Sequence, residues 1–83
     1  MVKEFSYTSN KGTRDRKVFV IKETDHYLEG IDLTLLTQED ADFITSKYKD
    51  FKPLTSRDEK ITLEGFNPIW NKAYRQFSKS KIR

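Results

Sequence analysis

The 83-residue chain predicts an α+β domain, an antiparallel meander of short strands followed by an amphipathic helix, and three observations predict it. Apolar and polar residues alternate from Lys3 to Thr8. The run Val18-Phe19-Val20-Ile21 is apolar on both faces. The apolar spacing then changes from two to 3.6 residues near Leu36, the shift from strand to helix. The length fits a single domain over 1–83 that buries about 64% of the unfolded chain's surface. Aromatic residues at 13% favour a packed core in a chain whose charged fraction is 35%.

Each element follows from its own residues. In the first strand, about 3–8, Phe5 and Tyr7 share one face, and Glu4, Ser6 and Thr8 share the other. Ser9-Asn10-Lys11-Gly12 is a turn cluster. The second strand, 14–22, is apolar on both sides and therefore central. Glu23-Thr24-Asp25 turns the chain into a third strand, 26–31, with Tyr27 and Ile31 opposite His26 and Leu28. Thr37 is the N-cap of a helix over 38–50, with Glu39, Asp40 and Asp42 at its positive end and Ala41, Ile44, Tyr48 and Phe51 as its apolar stripe. Pro53 stops it. A short fourth strand, 60–64, alternates Ile61 and Leu63 with polar residues and ends at Gly65. Asn67-Pro68 opens a further helix. Periodicity alone would carry that helix from Pro68 to Phe77; the alternative is a short helix over 68–72 and then a strand near 74–78.

Charge is segregated along the chain. Met1 to Lys22 carries +4, Glu23 to Glu59 carries −6, and Lys60 to Arg83 carries +5, within a net +3. If the ends meet, they make one positive patch opposite an acidic lobe. The absence of cysteine excludes disulfides and thiolate metal sites, and the single histidine excludes a multi-histidine metal site. Asp40 with Asp42, and Asp58 with Glu59, lack calcium-loop spacing and read as helix-start and loop charges. Gly12, Gly30 and Gly65 form no phosphate-cradling loop. His26 has no sequence partner to orient it as a base. The expectation is a protein that is not an enzyme and takes no cofactor. No apolar run approaches a membrane span, and none follows Met1, so a cytoplasmic protein is expected.

Five short motifs carry a family resemblance: Phe5-x-Tyr7, the turn at Gly12, Arg16-x-Val18-x-Val20, His26-Tyr27-Leu28-x-Gly30-x-Asp32, and Arg75-x-Phe77 with Lys81-Ile82. In this order they resemble the WYL domain, a small Sm-like, SH3-type β-barrel. The likeness is closer to the stand-alone WYL-like proteins of tailed bacteriophages, which share the Gly30-to-Leu33 run. It covers about residues 3–36 and 66–82, and the helix over 38–50 looks like an insertion. His26 stands where the family has tryptophan, and Val20 where the larger domains often have proline. The family's transcription regulators carry a helix-turn-helix beside this domain; the 83 residues hold none, so a regulator acting unaided is not expected. The resemblance implies a barrel of about five strands whose last strand, 74–78, follows a short helix over 68–72 and pairs with the first strand; this division of the tail, and not a continuous helix, is the one expected. It also implies a phage protein working in host cytoplasm.

Such a barrel would place Tyr7, Tyr27, Tyr74 and Trp70 near Arg14, Arg16, Lys17, Arg75, Lys79 and Lys81. Aromatic rings among cations stack bases and neutralise phosphates. The expected ligand is single-stranded nucleic acid or a nucleotide-type molecule, held by Tyr7, Arg14, Arg16, His26, Tyr27, Arg75, Lys79 and Lys81. Arg16 and Arg75 are the preferred contacts; the competing role for each is a cross-strand partnership with Asp32 or Glu29. The alternative function is a protein-interaction module, in which the acidic helix or an open sheet edge engages a host protein or another copy of the chain.

Overall fold

The computed structural model describes residues 1–56 and 72–83. Four strands form one antiparallel sheet in chain order: β1 (Val2–Ser9), β2 (Gly12–Glu23), β3 (Tyr27–Asp32) and β4 (Tyr74–Ser78). Among the described residues, helix α1 (Gln38–Lys47) lies between β3 and β4, and 3-10 turns occupy Leu33–Leu35 and Lys79–Lys81. No helix among the described residues is long and apolar enough to cross a membrane. The expected strand over 60–64 and most of the short helix over 68–72 lie outside the described residues, although Lys72 is helical.

The two-sided run in β2 divides the core into two clusters. Phe19 and Ile21 join Ile31, Leu33, Ile44 and Ala73 on one face, with Leu36, Ala41, Tyr48, Phe51 and Tyr74 packed against them. Val18 and Val20 join Leu28 and Phe77 on the other, covered by Phe5, Tyr7 and Ile82. The α1 stripe therefore packs as its spacing predicts. The Thr37 hydroxyl accepts from the Asp40 amide at 3.2 Å, which caps the helix start. The helix ends at Lys47, short of the expected 50, because the chain must turn to bring Leu54 beside β2. There the Leu54 amide donates to the Ile21 carbonyl at 2.9 Å, and the Glu23 amide donates to the Leu54 carbonyl at 2.8 Å. Leu54 thus takes over as partner where β2 outruns β1.

Two expectations are corrected. His26 lies in the turn before β3, where its amide meets the Thr24 hydroxyl at 3.3 Å, and is not a strand residue. The tail forms the expected strand over Tyr74–Ser78 and not a continued helix, so Tyr74 and Phe77 serve opposite clusters, which one helical face could not do. The second correction is that strand's partner: it pairs with β3 and not with β1. In a flat sheet β1 and β4 would lie about 14 Å apart, three strand spacings. Yet the Phe77 ring sits 5.3 Å from Phe5 and 5.0 Å from Tyr7, both edge-on. The sheet is therefore strongly curled. Beyond β4 the chain crosses back to β1 through a single bridge, Tyr7 to Ile82, and the Arg83 amide donates to the Ser6 carbonyl at 2.8 Å.

A bulge in β2 shifts the register: Val20 faces Gly30, but Lys22 faces Glu29 and Glu23 faces Leu28. Cross-strand partners share a face, so the extra residue at Ile21 reverses the alternation beyond it. Gly30 lies opposite this irregularity, and a Cβ there would stand 2.0 Å from the Phe19 carbonyl oxygen. Gly12 closes the β1–β2 turn with φ at +105°, in open space. Gly30→Ala should accordingly destabilise by about 1–3 kcal/mol or more, since backbone must move to admit the methyl. Gly12→Ala should cost about 1 kcal/mol through backbone conformation alone. Urea unfolding followed by circular dichroism checks both, and equal midpoints for the Gly30 variant and the parent would contradict the close approach.

Candidate anion-binding site

The eight residues expected to hold a ligand do not gather at one point. Tyr7 belongs to the second core cluster: its ring packs on Phe77, and its hydroxyl accepts from the Ser78 amide at 3.4 Å. That ring is half-buried, with its edge contact to Phe77 on one side. Arg14 faces Tyr7 across the β1–β2 ladder and is exposed. Arg75 is exposed on β4 and donates to the Tyr74 carbonyl at 2.9 Å. Lys81 is exposed in the second 3-10 turn. Of the other aromatic residues, Tyr74 serves the helix-side cluster, where burial and the neighbouring Glu29 push its hydroxyl's pKa upward. Trp70 lies outside the described residues.

Arg16 has the structural partner. Its guanidinium donates to Asp32 at 3.1 Å, and Asp32 is 1% exposed. The same carboxylate accepts from the Thr34 amide at 3.0 Å and from the Thr34 hydroxyl, capping the first 3-10 turn. The Arg16–Asp32 pair therefore anchors the chain as it leaves β3.

His26, Tyr27 and Lys79 do converge. They line an open cleft of about 680 Å³ with Glu23, Asp25 and Pro53 at the β2–β3 turn. The Lys79 amide donates to the His26 carbonyl at 2.9 Å, which ties the tail to this turn. A second cleft of about 360 Å³ adjoins it, lined by Lys3, Phe5, Glu23, Leu28, Lys79 and Ile82. Between the two stands Glu23. Lys3 Nζ reaches its two carboxylate oxygens at 2.7 and 3.0 Å, and Lys79 Nζ reaches one at 2.9 Å. The hydrogen bond from Lys3 and then that from Lys79 hold the Glu23 carboxyl below its ordinary pKa of 4.5. Sequence reasoning treated Glu23 as a turn residue and left Lys3 out of the site. The alternation that aligns Lys3 with Phe5 and Tyr7 was a signal for Lys3; Glu23 joins that face only because of the bulge.

Three or more histidine, cysteine or carboxylate side chains do not cluster as metal ligands anywhere among the described residues. No protein-family model, curated protein or solved structure matches the chain.

Two outcomes follow from these contacts. Arg16→Ala leaves the buried Asp32 without its cation and should cost about 2–4 kcal/mol, below a fully buried pair because Arg16 is partly exposed. Denaturant midpoints for Arg16→Ala and Arg14→Ala check this; only the first should fall markedly. The depressed pKa of Glu23 makes its stabilisation present above the unfolded value and lost as pH falls through the folded one. Stability of the parent relative to Glu23→Gln should therefore decline as pH drops below 4.5, read from urea midpoints at successive pH values.

Proposed function

We propose that this chain is a non-enzymatic binding module for an anionic ligand, either single-stranded nucleic acid or a nucleotide-type molecule. The observation that carries the reading is the return of the tail to β1. Residues 72–83 hold five basic residues and no acidic one, and Met1 to Lys22 carries +4. The bridge from Ile82 to Tyr7, the Arg83–Ser6 hydrogen bond and the shared hold of Lys3 and Lys79 on Glu23 bring those two segments together. Arg14, Lys81 and Arg83 add exposed charge to that side. The curl of the sheet and the motif resemblance support an Sm-like barrel of the WYL-like phage type, with the host cytoplasm as its place of action.

A second reading rests on a different surface. Phe43 on α1 and Leu35 before it are each 48% exposed, and α1 carries Glu39, Asp40 and Asp42. An apolar residue of that size among acids suits a basic protein partner, such as a host protein.

Fluorescence anisotropy with labelled oligonucleotides and a nucleotide panel separates the two. Three to five basic groups in contact with a single strand should give a log–log salt slope of about −2 to −4. Arg75→Ala and Arg14→Ala should each weaken binding by about 1.5–3 kcal/mol, the worth of a charge-assisted hydrogen bond. Changes at Lys47, the last residue of α1, or at Lys49 just beyond it should do little. Absence of binding at high micromolar protein and low salt removes the anionic reading.

A further inference from the structure

We infer that the Lys3–Glu23–Lys79 cluster is a seat for a phosphate monoester, and that Glu23 fills it as an internal competitor in the unliganded protein. This rests on the anionic-ligand reading above and names the group that ligand presents. Two ammonium groups, one from β1 and one from the second 3-10 turn, converge on a single carboxylate and leave a local charge of +1. Both remain accessible, with the Lys3 and Lys79 side chains 39% and 36% exposed. Each ammonium has three donors, so hydrogen bonding to one carboxylate leaves donors unspent on both. Their backbones are placed without Glu23: Lys3 is held in the β1–β2 ladder opposite Val18, and the Lys79 backbone is bonded to His26.

The surroundings suit the rest of such a molecule. On one side the 680 Å³ cleft offers Tyr27, His26 and Pro53 to a flat ring, within the range of small-molecule sites. On the other, Phe5, Leu28 and Ile82 floor the smaller cleft. Asp25 and Met1, with the chain's amino terminus, both line the larger cleft, so their charges offset there and the lysine pair sets the pull on an anion. A carboxylate spreads one charge over two oxygens; a phosphate monoester brings close to two charges and three oxygens, so it outcompetes Glu23 for the same lysines.

Calorimetric titration of the folded chain with adenosine monophosphate, adenosine triphosphate and inorganic phosphate, at one low salt concentration, tests this. Glu23→Gln should bind the monophosphate about fivefold or more tightly than the parent, the effect of one charge at about 4 Å in water. Lys3→Gln and Lys79→Gln should each bind it about tenfold more weakly. Unchanged or weaker binding by a folded Glu23→Gln overturns the inference. Should that variant fail to fold, Lys79→Gln decides, because it leaves the Lys3–Glu23 pair in place: parent-like affinity overturns the proposal. If the parent binds oligonucleotides while none of these variants alters binding, the seat is wrong and the anionic reading stands. If neither the parent nor any variant binds an anion, both fail.

Discussion

A strand that buries both of its faces needs two covers, and β2 imposes that demand on everything around it. Val18 and Val20 on one face, and Phe19 and Ile21 on the other, are each at most 1% exposed. A chain this short cannot build a separate layer of helices for each side. One face receives α1. The other is covered by the sheet itself, curled until Phe77 of β4 lies edge-on against Phe5 and Tyr7 of β1, pairs worth about 0.5–1.5 kcal/mol each beyond their buried area.

That second cover connects fold to function. The curl leaves a gap between β4 and β1, and the tail crosses it with Ile82 packed on the cluster. Ile82, which closes the gap, has basic neighbours in sequence, so sealing the core also delivers Lys79, Lys81 and Arg83 to the side where β1 presents Lys3. The charge is not left uncompensated. Glu23 and Asp32 each take up cations at the two ends of this face, one half-open to solvent and one buried. This difference in burial separates their roles: Asp32 holds structure, and Glu23 stays open to solvent.

The strands of the meander and the packed stripe of α1 were legible in the sequence because period two and period 3.6 are local properties. Val18 to Ile21 also announced a central strand, and Thr37 announced the helix start. What was not legible depended on partners far along the chain. The strand at Tyr74–Ser78 was read through the family resemblance, but its neighbour was not: β4 lies beside β3, and the tail beyond it meets β1. The length of α1 was misjudged because the requirement that Leu54 reach Ile21 and Glu23 is invisible in helical periodicity. Among the site residues, proximity of His26, Tyr27 and Lys79 was anticipated only as part of a larger aromatic and cationic group. Tyr7 went to the core, and Arg16 took the cross-strand partner that competes with a ligand role. A strong aromatic or basic residue on a strand does not reveal in isolation whether its neighbours across the sheet are apolar or acidic.

The β2 bulge carries a consequence for how such a protein can diverge. From Val18 to Ile21 the strand's residues are tied to two packed clusters, and almost any substitution there is penalised. Downstream, the orientation of Lys22 and Glu23 depends on the count of residues in the bulge, not on their identity. Losing one residue would turn both charges over together, taking Glu23 away from Lys3 while the upstream strand kept its alignment with β1. Insertions and deletions are usually destructive inside a sheet; at this one point they become a means of exchanging the electrostatics of a surface in a single event, a change no succession of point substitutions could make without passing through a mispaired charge.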